Sequence, residues 1–219
     1  MKKTHFLCLA NSRKYGERCI AGIELSPDSL GRFHFVKENE RPKWIRPVSW
    51  HDHGQVPAEW VKHIAVGDIV ELDVVRACPR GYQSENRLFV KESLRVVRRA
   101  ELSAAHLEQL AEAECGGILG NKEKYASEPE VAHFSRSLVL IKAADPHAYF
   151  CTPYNTKPRL RFHHGGVPYD LPMTDVDFFN RMQEDPAPLE GKEAVFITVS
   201  LGICFEGKYY KLAAGVLAV

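Results

Sequence analysis

The chain has 219 residues, 45% of them hydrophobic, enough for a real core in one large domain or two small ones. The formal net charge of +1 by itself marks neither a polyanion binder nor an acidic protein. Its distribution says more: residues 1–100 hold 18 Lys and Arg against 12 Asp and Glu, and the remainder 11 against 16. A basic half joined to an acidic half suits either an oriented anionic ligand or two domains docking on each other. Six cysteines are scattered without a CxxC pair, which reads as reduced thiols in a cytoplasm. The opening MKKTHFLCLA has too short an apolar run for a signal peptide, and no run is long enough to cross a bilayer as a helix.

In chain order, Phe6 to Ala10 and Cys19 to Ile23 read as two apolar strands. Between them Asn11, Ser12, Arg13 and Lys14 read as a polar turn, with Arg18 beside it, whose donors suit phosphate or carboxylate. An ordinary solvated hairpin fits the same residues. Pro27 to Gly31 is a turn, and Arg32 to Lys37 alternates as a half-buried strand. Pro42 and Pro47 forbid a helix from Glu38 to Trp50, so this segment is expected to be extended and edge-like. It would place Trp44 and Arg46 near the opening loop, a stacking ring and a guanidinium that could hold a base and its phosphate. A core Trp with an ion-paired Arg is the alternative.

His51-Asp52-His53 resembles a metal site on paper, but two His and one Asp in a loop lack zinc geometry, so no metal or other cofactor is expected. Pro57 to Ile64 reads as a short helix, and Ile69 to Arg76, Asn86 to Val90 and Leu94 to Arg98 as strands. That strand count suits a small Greek-key barrel of the oligonucleotide-binding (OB) type over residues 1–101. Residues 102–135 read as a helical linker, with a helix from Ser103 to Cys115 stopped by Gly116-Gly117.

Residues 136–219 restart β structure as a second barrel. In Arg159-Leu160-Arg161-Phe162-His163, strict alternation sets Arg159, Arg161 and His163 on one face and Leu160 and Phe162 on the other. This is either a phosphate track or a solvated barrel face. Thr174 is expected to cap a helix over 175–182, with Asp177 in the capping box. Glu206-Gly207 reads as a tight hairpin turn, and Tyr209, Tyr210 and Lys211 after it as a stacking rim or plain strand. The predicted class is mainly β, two OB-like small β-barrels joined by a helix-containing linker.

Several segments together resemble the dual OB-containing domain of prokaryotic proteins. They are Cys8 to Lys14 followed by Cys19 to Gly22, Trp44 to Ser49, Tyr169 to Pro172 with Thr174-Asp175, and Ser200-Leu201-Gly202 with Tyr210 to Leu212. The resemblance spans nearly the whole chain, and its first motif is the most specific. It implies two consecutive OB-like barrels, a nucleic-acid-binding role in a defence or mobile-element context, and no catalytic set. Its polar signature falls on Asn11, Ser12, Lys14, Arg46, Asp170, Thr174 and Asp175; Met173 stands where Val is usual.

Three functions fit these residues. The first is a non-enzymatic nucleic-acid or nucleotide binder using Arg13, Lys14, Arg18 and Arg46 with Trp44. The second is a hydrolase using His163, His164, Asp170 and Asp175, which would have to converge. The third is a protein-binding adaptor.

Overall fold

A computed structural model describes residues 1–51, 53–114, 116–152 and 155–219. The chain divides into two compact units, Met1–Glu101 and Leu102–Val219.

The first unit opens with β1 (Lys2–Lys14) and β2 (Glu17–Pro27), an antiparallel pair in register from His5 opposite Leu25 to Lys14 opposite Glu17. The turn is therefore only Tyr15-Gly16, both at positive φ (51° and 78°), as a two-residue hairpin of right-handed twist requires. Asn11 to Lys14, read as a turn from their polarity, belong to β1. After β3 (Phe33–Phe35) come the short β4 (Lys37–Glu38) and β5 (Arg41–Pro42), then β6 (Trp44–Val48), α1 (Ala58–Val61), β7 (Asp68–Ala77), β8 (Asn86–Phe89) and β9 (Arg95–Arg99).

Five strands close into a barrel in the order β1-β2-β6-β8-β7 and back to β1, with β6 and β8 parallel and the other neighbours antiparallel. With the five counted along the chain, this is the order 1-2-3-5-4-1, with α1 between the third and fourth strands. It is the five-stranded Greek-key arrangement of OB barrels. The barrel wraps Phe6, Cys8, Ile20, Ile45, Val70, Leu72 and Phe89, with Val61 and Ile64 from α1 and its C-terminal end joining them. Two features fix its bend. Leu9 is the extra residue of a β-bulge between Cys8 and Ala10. At Gly22 the β1 backbone comes so close that a Cβ would lie 1.8 Å from the Leu7 carbonyl oxygen.

β6 corrects the expected edge segment: it lies between β2 and β8, and all five of its residues are buried. Its ladders are only two and three pairs long, which leaves room for Pro47 without a string of missing bonds.

In the second unit α2 covers only Ala104–Glu108, capped by Ser103 and His106. The expected helix to Cys115 stops early because the Glu112 N–H donates to the Leu140 carbonyl rather than continuing the helical ladder; Cys115 itself lies outside the described residues. Then follow β10 (Tyr125–Ser127), α3 (Glu128–Val131), β11 (Leu138–Thr152), β12 (Asn155–His164), β13 (Val167–Pro172), α4 (Val176–Glu184), β14 (Val195–Phe205) and β15 (Lys208–Ala218). The sheet order is β10-β15-β14-β11-β12-β13. Met173, just past β13, makes a parallel bridge to Ala213 of β15. The 1-2-3-5-4 order thus recurs, again with a helix between the third and fourth strands, but the closing seam is a single bridge. The result is a strongly curled half-barrel.

Two buried charges hold this unit. Asp175, not Thr174, caps α4: its carboxylate accepts from Phe178 N–H at 3.0 Å and from Val216 N–H at 2.8 Å. It wins the position because it reaches both the helix start and β15. Burial pushes its carboxyl up to about 6 against those two bonds. Lys211 is fully buried and donates to Asn121 O, Asn121 Oδ1 and Glu123 O, each at 2.7 Å. Burial lowers its ammonium to about 8. Lys211 therefore faces inward and takes no part in a stacking rim.

Candidate nucleic-acid interface

In the first unit the tip of the β1–β2 hairpin meets the loop that follows β6. The Lys14 ammonium donates to the His53 carbonyl at 2.7 Å, and Tyr15 stacks on the His53 ring with centroids 4.5 Å apart. Arg18 and Val56 exchange both backbone hydrogen bonds, so the loop is laced to β2 as well. Inside it the Ser49 hydroxyl donates to the Gln55 carbonyl. A cleft of about 140 Å³ opens between this loop and the one joining β7 to β8, lined by Ser49, Trp50, Arg76, Cys78 and Arg80. Trp50 is 76% exposed, with the Arg76 guanidinium 5.7 Å from its ring centroid, and Tyr15 is 54% exposed.

The electrostatics of this corner are cationic. Burial depresses the Lys14 ammonium, and repulsion from Arg46 and Arg80 adds to that, with Cys19 opposing it. Cations held close together are relieved by an incoming anion.

The expected site residues divide into supports and surface. Asn11 is buried, and its amide donates to the Val61 and Ile64 carbonyls at 3.2 and 2.7 Å, tying the end of α1 to β1. The buried Ser12 hydroxyl donates to the Cys19 carbonyl at 3.4 Å. Trp44 is a core residue, and Arg46 is 1% exposed with Nη1 3.5 Å from Asn86 Oδ1. Arg13 is exposed and Arg18 half-buried, at the hairpin with Lys14. Tyr15, Trp50, Arg76 and Arg80 were missed in the linear reading. An exposed aromatic tip before a glycine was the available signal for Tyr15; the other three meet only through barrel closure.

In the second unit Arg159 and Arg161 project from β12, with Leu160 and Phe162 fully buried behind them. Arg161 lies 5.3 Å from the Tyr149 ring centroid, and Tyr149 stacks on His147. Arg159 Nε donates to Asp170 Oδ1 at 2.8 Å and Nη2 to the Asp170 carbonyl at 2.7 Å, while the Tyr149 hydroxyl donates to Asp170 Oδ2 at 2.7 Å.

The residues named for hydrolysis are engaged apart from one another. Asp170 holds Arg159 and Tyr149, and Asp175 caps α4. His163 lies 3.6 Å from Asp145, and the two ring nitrogens of His164 lie 3.0 and 3.1 Å from the Lys142 and Ala113 carbonyls. Among the described residues no three His, Cys, Asp or Glu side chains are grouped to hold a metal, and Asp52 lies outside them. Nor is any described helix long and apolar enough to cross a membrane.

Paired five-strand units of the same order define a dual-OB protein. The sequence matches the dual OB-containing domain over residues 4–216, and the chain belongs to that family. No curated protein matches the sequence. Among solved structures it is similar to a murine DNA-binding protein bound with double-stranded DNA, at 7% identity, TM-score 0.34, covering 100% of this chain and 98% of that one. It is also similar to the tetrameric p202 HIN2 structure, at 9% identity, TM-score 0.28, covering 100% and 92%.

Proposed function

We propose that the protein is a non-enzymatic module that binds nucleic acid or nucleotides at the first barrel. The carrying observation is the exposed Trp50 with Arg76 against its ring, beside a cleft that Arg80 lines and near the Lys14 hairpin. A base stacked on Trp50 or Tyr15 leaves its phosphate within reach of guanidinium and ammonium groups, the combination used by sequence-tolerant single-strand binders. The position agrees with how OB barrels work, since their second and third strands and the loops after the first and fourth strands form the ligand face. Here those loops are the Tyr15-Gly16 tip and residues 78–85. Asn11, Ser12, Trp44 and Arg46 then act from beneath, holding the strands and α1 that carry the surface.

Tryptophan emission tests this reading. Of the three tryptophans Trp44 is buried, Trp60 half-buried and Trp50 open, so a single-stranded oligonucleotide of about ten nucleotides should quench mainly Trp50. The quench should vanish in Trp50→Leu. Quenching that persists in this variant, or none in the native protein, contradicts it.

A further inference from the structure

The second unit carries a cleft of its own, beside the Arg159–Asp170 pair. It measures about 210 Å³ and is lined by Lys122, Glu123, Lys124, Arg159, Pro168 and Asp170, with Tyr169 at its floor. Three of these are cations and two are carboxylates, but the carboxylates are not equivalent. Asp170 spends one oxygen on the Tyr149 hydroxyl and the other on Arg159 Nε, so it acts as a bracket that fixes the guanidinium plane. With Nε on the carboxylate, Nη2 on the Asp170 carbonyl and the Tyr149 hydroxyl also bonded to the group, the guanidinium, which carries five N–H donors, keeps donors beyond those three contacts. The Lys122 and Lys124 ammonium groups are exposed and have no ion pair or hydrogen bond among the described residues. Their loop is not left to wander. Lys211 grips the carbonyls of Asn121 and Glu123, and its backbone N–H donates to the Lys124 carbonyl at 2.9 Å.

We infer that this cleft is a phosphate-binding site, in which the bracketed Arg159 guanidinium and the ammonium groups of Lys122 and Lys124 close on one phosphoryl group. An oriented guanidinium with unspent donors is suited to phosphate oxygens, and lysines add compact point charges around it. The volume is below that of pockets enclosing a whole small molecule, so a phosphoryl group enters and the rest of the ligand stays outside. The site stands on residues of the second unit alone and does not depend on the first-barrel reading.

The test follows the Arg159 Nε–H resonance of the ¹⁵N-labelled full chain during titration with inorganic phosphate, adenosine 5′-monophosphate and the phosphodiester dinucleotide TpT. Saturable shifts are expected, and the double variant Lys122→Ala with Lys124→Ala should weaken them by about tenfold while leaving the ligand-free resonance in place. Arg76→Ala should leave them unchanged, which separates this site from the first-barrel cleft. Response to phosphate and the monophosphate alone assigns a terminal phosphate of a free nucleotide. Response to TpT as well assigns a strand backbone. No saturable shift with any of the three, or equal affinity in the double variant, overturns the assignment.

Discussion

Lys14 donates to the His53 carbonyl at 2.7 Å, which fastens the hairpin tip to the loop that carries Trp50. The lysine therefore has two roles, a tie between the hairpin and the loop and a positive charge near Arg46 and Arg80. Lys14→Met should lower oligonucleotide affinity by about tenfold and flatten the salt slope by about 0.7. Its effect on stability should be about 1 kcal/mol or less, because the Arg18–Val56 backbone pair keeps the loop in place. Anisotropy titrations and urea unfolding together separate the two roles.

Gly22 offers a purely steric prediction. Any side chain there drives into the Leu7 carbonyl, so Gly22→Ala should destabilise the first barrel by more than about 3 kcal/mol while leaving the second unit folded. Urea unfolding followed by hydrogen exchange would show early loss of protection in β1, β2 and β7 alone.

Asp175 predicts an unusual pH dependence. Its carboxyl titrates near 6 in the native state and near 3.8 when unfolded, so between those values the native protein holds a proton the unfolded chain has lost. Stability from this group falls as pH rises through that window, by roughly 3 kcal/mol in all, and is level above it. Asp175→Asn keeps an acceptor for the Phe178 N–H and cannot titrate. The difference between the native and variant unfolding free energies should therefore change between pH 4 and 6 and be constant above 7. A constant difference throughout contradicts the assignment.

Lys211 satisfies three acceptors from inside the second unit. Lys211→Met keeps the stem and removes every donor, which should cost about 3 kcal/mol and free the loop at 121–124. Loss of amide protection at Lys211 and in β10 would report it. Under the phosphate assignment, affinity at the second-unit cleft should fall too, although Lys211 touches no ligand.

Much of this architecture could be read along the chain. The alternation in Arg159 to His163 placed two residues in the core and three outside, and Glu206-Gly207 is the β14–β15 turn, both at positive φ. What stayed hidden depends on closure. Arg46 and Lys211 each admit a ligand-facing and a structural reading along the chain, because polarity alone does not reveal how a closing sheet surrounds a charge; both are buried. The Asn11 to Lys14 turn was misplaced by its polarity; the Tyr15-Gly16 backbone decides where the chain reverses. The α4 cap was misread by one residue, since only the fold shows Val216 waiting for the same carboxylate. At the candidate site, Trp50 comes from the loop after β6, Arg76 from the end of β7 and Arg80 from the loop after it, and no spacing rule joins them.

The salt dependence of single-strand binding tests the central claim most directly. With Lys14, Arg76 and Arg80 each neutralising a phosphate, log affinity should fall linearly against log salt with a slope of about −2. Arg76→Ala and Arg80→Ala should each flatten it by about 0.7, and Trp50→Ala should lower affinity without changing the slope. A response independent of salt, or a slope the two arginine variants leave untouched, would contradict a first-barrel cleft that grips phosphates.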